Sequence, residues 1–184
     1  VLLDEFILSD FGFDGDDVRI VFSGGRGYHV HVTSPGVAKL TSHERREIVD
    51  YITATDLDIE WLFEKRPVDV ARYKDLLKLK WNRRMVKATD GGWRTKIRHG
   101  IEELFNELDR LPDPERERYL TDTMLKAIPE VRRDIVIGLC KDLLAGQEGK
   151  RIMDSITEGD NLMRLSDKHL EAFVKFVVSG IAPK

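Results

Sequence analysis

Apolar residues recur along the chain with two periods, that of a helix and that of a strand, and these periods predict its elements. Residues 1–9 are apolar at helical spacing. Residues 18–22 form a β-branched and aromatic run, typical of a buried strand, and residues 28–32 alternate with period two. The glycine-rich stretch between the two runs predicts a β-hairpin. On its second strand, period two places His29 and His31 on one face and the aromatic and β-branched residues on the other.

Most of the remaining chain has a helical pattern. Thr41 and Glu44 predict a capping box for a helix that ends near Tyr51. Beyond Gly91 and Gly92, apolar residues spaced by three and four predict a long amphipathic helix that two prolines end. Further helices are predicted over residues 114–128, 130–144, 149–156 and 166–178, the last capped by Ser166.

These elements define an α+β fold class. A β-hairpin with flanking helices occupies residues 1–55, and a mostly α-helical subdomain occupies residues 56–184. Two strands alone are marginally stable in water, so we expect the hairpin to be part of a larger sheet or to borrow packing from its neighbours.

The hairpin loop carries residues suited to binding an anion. Its glycines permit positive φ and a close backbone approach, and successive N–H groups can then converge on a phosphate. A hydroxyl and a guanidinium add side-chain donors, and one imidazole on the next strand can reach the same anion. The residues concerned are Ser23, Gly24, Gly25, Arg26, Gly27 and His29. The alternative is a plain glycine-rich turn with an arginine in solvent, although a hairpin turn needs only two residues.

The string from Ser23 to His29, Ser-Gly-Gly-Arg-Gly-Tyr-His, resembles the second motif of the small, catalytic subunit of archaeal and eukaryotic DNA primases, in a variant that looks archaeal. Residues 2–13 resemble the helix and turn before that motif, and residues 41–51 the helix after it. The resemblance covers residues 2–57 and implies a primase-type catalytic sheet. It implies that the triphosphate of the incoming nucleotide is bound by Ser23, Gly24, Gly25, Arg26 and His29.

The resemblance also implies an activity, DNA-directed synthesis of RNA primers, with cofactors and partners. Two-metal phosphoryl transfer needs several hard oxygen ligands. The family places its metal-binding aspartates before and after the segment seen here, so we expect no catalytic residue and no ligand to Mg²⁺ or Mn²⁺ in this chain. The zinc site of the intact subunit is also absent, because Cys140 is the single cysteine. We therefore expect an internal fragment of an archaeal primase subunit that is inactive alone.

The expected partners are nucleoside triphosphates, a DNA template, an RNA or DNA primer and the primase large subunit in a heterodimer. The expected location is the cytoplasm, at the nucleoid, with no membrane contact. Two aspartate groups could be mistaken for metal sites, but capping and turn chemistry explain both. Asp14, Asp16 and Asp17 read as a turn, and Asp56 as the N-cap of a short helix with Asp58 in its first turn.

Charge is distributed unevenly over the 184 residues. The chain is 41% hydrophobic and has a net charge of -3. Residues 72–98 hold ten basic and two acidic side chains, about +8, which leaves about -11 for the rest. Tyr73, Trp81 and Trp93 are interleaved with these cations and could stack on bases. Candidate nucleic-acid contacts are Arg83, Arg84 and Lys87.

The alternative for this basic segment is a solvated helix face, with Leu76, Leu77, Leu79, Trp81 and Met85 packed inward. Three other functions stay open at the level of sequence. The chain could be a non-catalytic module whose helical half docks a protein, or a single-strand DNA-binding module. It could also be part of a related polymerase, such as the polymerase domain of end-joining ligases.

Overall fold

A computed structural model describes residues 1–25, 27–63, 65–73, 76–83, 89–144, 146–147, 150–151 and 165–182. The chain divides into two compact units, Val1–Leu57 and Asp58–Ile181. Both helices and strands are present, which confirms the predicted α+β class. In the described part of the chain, every helix is too short or too polar to cross a membrane.

The first unit consists of a two-stranded hairpin and three helices. The elements in chain order are α1 (Leu2–Asp10), a 3₁₀ turn (Gly15–Asp17), β1 (Val18–Phe22), β2 (Tyr28–Val32), α2 (Pro35–Ala38) and α3 (Ser42–Thr53). Helix α1 is wound more widely than predicted, in π-type turns; at its end the Phe11 N–H donates to the Phe6 carbonyl, five residues earlier.

Side-chain hydrogen bonds stabilise helix α3 at both ends. The Thr41 hydroxyl accepts from the Glu44 N–H and the Glu44 carboxylate accepts from the Thr41 N–H, which confirms the capping box. Near the other end, the Tyr51 hydroxyl donates to Asp10 over 2.8 Å, and its ring lies edge-on to Phe6. Burial and the bond to Asp10 raise the pKa of Tyr51, which therefore stays a neutral donor.

The second unit is a helical bundle preceded by a long β-ribbon. Its elements are α4 (Ile59–Leu62), β3 (Lys65–Tyr73), β4 (Leu76–Arg83), α5 (Gly92–Asp109), α6 (Asp113–Ala127), α7 (Arg133–Leu144), β5 (Gly146–Gln147), β6 (Lys150–Arg151) and α8 (Asp167–Ile181). The four long helices agree with the predictions, and Ser166 caps α8 by accepting from the His169 N–H over 3.3 Å. The helix predicted over residues 149–156 is wrong at Lys150–Arg151, which is a strand; its other residues lie outside the described part.

Apolar side chains of the four long helices form the core of this unit. Helix α5 alone buries five apolar side chains at the predicted spacing together with Trp93. The Phe105 and Phe173 rings stack with their centroids 6.2 Å apart, which joins α5 to α8. Cys140 of α7 is fully buried and lies 3.7 Å from the Met124 sulfur of α6. Burial raises the pKa of this thiol, as expected of a core cysteine.

Strands β3 and β4 overturn one alternative for the basic segment. They pair antiparallel from Lys65 opposite Arg83 to Tyr73 opposite Leu76, with an irregularity between Pro67 and Asp69. A helix face of lysines over residues 76–83 is therefore wrong. From Leu77 to Lys80 the sequence alternates apolar and basic residues, which is the period of a strand.

Candidate functional site

The loop between β1 and β2 is closed by Ser23 and Gly27. The Ser23 N–H donates to the Gly27 carbonyl over 2.9 Å, and the Ser23 hydroxyl donates to the same oxygen over 2.8 Å. Gly24 has φ +78°, a left-handed conformation that glycine adopts without a Cβ penalty. Ser23, Gly24 and Gly25 are all exposed, and a Cβ built on either glycine would meet nothing within 4 Å. Hydrogen bonds therefore close the base of the loop, and the two glycines beyond it are exposed.

The strand register brings three nitrogen-bearing side chains to one face of the hairpin. Val21 lies opposite His29, and Arg19 lies opposite His31. The two imidazole centroids are 6.2 Å apart, which confirms that both histidines share a face. His29 follows Gly27 by two residues, about 7 Å along a strand, so its imidazole lies within reach of an anion held over the loop.

Arg19 is a member of this face that we did not predict from the sequence. It is exposed, and its Cα partner across the strands is His31. The signal was available, because in an antiparallel hairpin the register follows from the loop length and partners share a face. Arg26 and the candidates Arg84 and Lys87 lie outside the described residues. Arg83 ends β4, opposite Lys65.

The other face of the hairpin is apolar and exposed. Phe22 and Tyr28 pack on each other across the strands, with ring centroids 5.3 Å apart. Their exposed fractions are 56% and 71%, and that of Ile20 is 52%. The prediction that β1 is a buried strand is thus wrong for the described chain, because no described element covers this face.

Neither aspartate group forms a metal site. Asp14 accepts from the Asp16 N–H and caps the 3₁₀ turn. The short helix α4 is capped by Asp58, which accepts from the Glu60 and Trp61 N–H groups, and not by Asp56 as predicted. Asp56 has φ +53° in the turn after α3, so the helix begins two residues later. Among the residues that the structure describes, no three His, Cys, Asp or Glu side chains form a group that could hold a metal ion.

Of the three aromatic residues interleaved with the basic segment, Trp93 is in the core of the second unit, only 2% exposed. It cannot stack on a base. The side chains of Tyr73 and Trp81 lie outside the described part. An exposed tryptophan that we did not single out from the sequence, Trp61, lies at the end of α4 and is 57% exposed.

Comparison with known proteins identifies the family. The family model for the DNA primase small subunit matches residues 2–135. The chain is 32% identical to the DNA primase small subunit PriS of Methanocella arvoryzae over 186 residues, which cover 97% of this chain and 42% of that protein. No solved structure matches.

Two shorter matches have a higher sequence identity. Identity to PriS of Methanosarcina barkeri is 54% over 65 residues, or 35% of this chain and 16% of that protein. Identity to PriS of Halobacterium salinarum is 42% over 104 residues, or 56% of this chain and 25% of that protein. The stretch that the family model matches includes the hairpin with its glycine loop and the helices α2 to α6. The chain is a member of the DNA primase small subunit family, as the resemblance predicted, and it spans less than half the length of these archaeal relatives.

Proposed function

We propose that this chain supplies the triphosphate-binding part of a primase catalytic subunit that synthesises RNA primers on a DNA template. The observation that carries the proposal is the exposed glycine loop with His29, His31 and Arg19 on one adjoining face. In the proposed division, residues 1–55 belong to the catalytic domain and residues 56–184 form the helical subdomain.

Each group in the proposed site has a role that follows from its chemistry. The N–H groups of Gly24 and Gly25 lie in an exposed loop and can donate to phosphate oxygens. Arg26 supplies a guanidinium fork, and His29 supplies a donor that carries positive charge when protonated. Together they neutralise charge that a primer hydroxyl would otherwise meet when it attacks the α-phosphate.

Ser23 differs from the other members of the motif. A serine hydroxyl has one hydrogen, and that of Ser23 is donated to the Gly27 carbonyl. In this conformation Ser23 shapes the loop, and it can accept from a donor but not donate to a phosphate. We infer that a direct phosphate contact from Ser23 requires its hydroxyl to turn away from Gly27.

The family also implies Mg²⁺ or Mn²⁺ at the reacting phosphates and a structural zinc. The described residues do not fit either group, because they contain no cluster of metal-binding side chains. We therefore propose that the role of this chain is to bind and orient the nucleotide. As further proposals, the partners are nucleoside triphosphates, a DNA template, an RNA or DNA primer and the primase large subunit, in the cytoplasm. Arg83, Arg84 and Lys87 are proposed to contact nucleic acid.

The test is substitution of Arg26 and His29 in the intact subunit. Arg26→Ala and His29→Ala are each expected to raise the apparent KM for nucleotides by about 10- to 100-fold, because a hydrogen bond to a charged group contributes about 1.5–3 kcal/mol. Primer synthesis at low nucleotide concentration should fall accordingly. The measurement is the rate of primer synthesis against nucleotide concentration.

Arg118→Ala is the matched control. Arg118 is 89% exposed on α6 and its ion pair with Asp122 is long, 3.8 Å, so its loss should leave both KM and stability unchanged. If Arg26→Ala and His29→Ala both bind the nucleotide with the KM of the wild-type subunit, the phosphates are held elsewhere.

A further inference from the structure

Trp61 is an exposed aromatic side chain that the fold holds in a fixed position. The guanidinium carbon of Arg94, from the first turn of α5, lies 4.3 Å from the centroid of the Trp61 ring. The same guanidinium donates to the Trp61 carbonyl over 2.6 Å. On the other side of the backbone, the Trp61 N–H donates to the capping carboxylate of Asp58. Two of these contacts thus fix the backbone of Trp61 and one holds its ring, although the residue is 57% exposed.

This arrangement leaves an aromatic surface available to a ligand. The guanidinium covers one face of the indole, so the exposed fraction belongs to the remaining surface of the ring. The open part of an indole ring is a flat apolar surface on which another planar group can stack. Because both ring and backbone are already held, stacking on this surface loses little conformational entropy.

The charges near Trp61 favour a polyanionic partner. Trp61 precedes β3 by only a few residues, and the register places Lys65, the first residue of β3, opposite Arg83, the last residue of β4. The open end of the ribbon that follows Trp61 is therefore basic in sequence, and Arg94 adds a further cation. Asp58, Glu60 and Glu64 are the acidic residues of the same stretch of sequence, and the carboxylate of Asp58 is engaged in capping α4.

We propose that Trp61 is a base-stacking residue for single-stranded nucleic acid, with phosphates of the strand near the basic end of the ribbon. Stacking on an aromatic ring beside a row of cations is the general way in which proteins bind single strands without sequence preference. The identification of that strand as the template rests on the proposed function. The stacking itself does not, because Trp61 and the glycine loop belong to different units.

The first experiment measures binding of a labelled oligothymidylate to the 184-residue chain at low salt. Trp61→Ala is expected to weaken binding by about 5- to 100-fold, because stacking contributes about 1–3 kcal/mol per base. Trp61→Phe keeps a ring and should retain most of the affinity, and Arg94→Lys should fall between them because lysine lacks the planar fork. Val49→Ala is the matched control, since Val49 is equally exposed, at 55%, but lies on α3 in the other unit.

A second measurement keeps the test independent of folding effects. In a Trp81→Phe background, the remaining tryptophans are Trp61 and the buried Trp93, so oligothymidylate should quench the emission of Trp61. Adding Trp61→Phe should abolish the quenching while the oligonucleotide still binds. Absence of binding to the wild-type chain would overturn the proposal. Unchanged affinity in Trp61→Ala, with unchanged quenching after Trp61→Phe, would also overturn it and would point to a protein partner for Trp61. Nucleotide binding at the glycine loop, measured in the same variants, should not change. If no nucleotide binds to the loop, that result counts only against the proposed function and not against stacking on Trp61.

Discussion

At the scale of single residues, the start of α3 shows how two neighbouring side chains define a helix end. Thr41 and Glu44 exchange hydrogen bonds with each other's backbone, and these satisfy two N–H groups that the helix cannot. The bonds from the Thr41 backbone and hydroxyl lower the pKa of the Glu44 carboxyl. Because its folded pKa lies below its unfolded pKa, ionised Glu44 stabilises the fold above the unfolded pKa, near 4.5, and this stabilisation is lost as pH falls through the folded pKa.

Thr41→Ala is therefore expected to destabilise the chain by about 1 kcal/mol at neutral pH, since it removes the capping hydroxyl. Urea denaturation measures the change. The variant should also lose part of the fall in stability below pH 4.5, because its Glu44 keeps only the backbone bond. A variant as stable as the wild-type chain at pH 7 would show that the box contributes nothing in solution.

The caps also show how far local sequence reaches. An N-cap needs only a side-chain oxygen and an N–H two or three residues later, so Thr41 and Ser166 were predictable from residue types alone. The N-cap of α4 was misplaced by two residues, because Asp56 and Asp58 are equally good caps. The turn that puts Asp56 at positive φ decides between them, and the residue types do not show it. Trp61 was overlooked because the side chain that contacts its ring belongs to Arg94, 33 residues away.

At the scale of elements, α5 and α8 come so close at Gly100 that a side chain there would overlap its neighbours. A Cβ built on Gly100 would lie 2.8 Å from Cγ1 of Val177 and 2.9 Å from Cδ1 of Ile181. Both distances are shorter than atoms can tolerate. Cδ1 of Ile181 is the end of a long side chain and can turn aside, whereas Cγ1 of Val177 is stiff at χ1 in a helix. Glycine is thus required at this crossing by space rather than by backbone conformation.

Gly100→Ala is accordingly expected to lower stability by about 1 kcal/mol. The overlap costs about 1–3 kcal/mol, and the better helix propensity of alanine offsets about 0.5–1 kcal/mol of it. Gly180→Ala is the control within α8, because its Cβ would meet nothing within 4 Å; it should be neutral or stabilising. In a Val177→Ala background the penalty should disappear. The midpoint of urea unfolding is measured for the wild-type chain, the three single variants and the double variant. Equal effects of the two glycine substitutions would contradict the explanation by overlap.

The elements also separate what periodicity can predict from what it cannot. The helices α5, α6, α7 and α8 were predictable because each places apolar residues every three or four positions over several turns. The ribbon was missed because its lysines and leucines, read without their order, suit a helix as well as a strand. The loop of the candidate site was predictable from residue types. Arg19 is not part of that motif, and its place beside His31 follows only when the strand register is worked out from the length of the loop.

At the scale of the whole molecule, burial is concentrated in the helical unit. None of the residues of β1 or β2 is buried, whereas α5 alone buries seven side chains. A two-stranded hairpin with an exposed apolar face is marginally stable without further packing. Hydrogen bonds in such an element open at a lower free energy than those in a packed helix. The candidate phosphate loop is therefore expected to lie on the least stable element of the first unit.

Hydrogen exchange tests this distribution and the proposed function together. Amides of residues 18–32 should exchange early and those of α5 and α8 late. A nucleoside triphosphate at about 100 times its dissociation constant should slow exchange in the hairpin about 100-fold, because a ligand that binds only the closed hairpin stabilises it by about 2.7 kcal/mol. The same nucleotide should leave α5 unchanged and should lose its effect in Arg26→Ala. If the nucleotide slowed amide exchange in α5 but not in the hairpin, the nucleotide would bind in the helical unit. The glycines of the loop would then be needed only for the conformation of the turn.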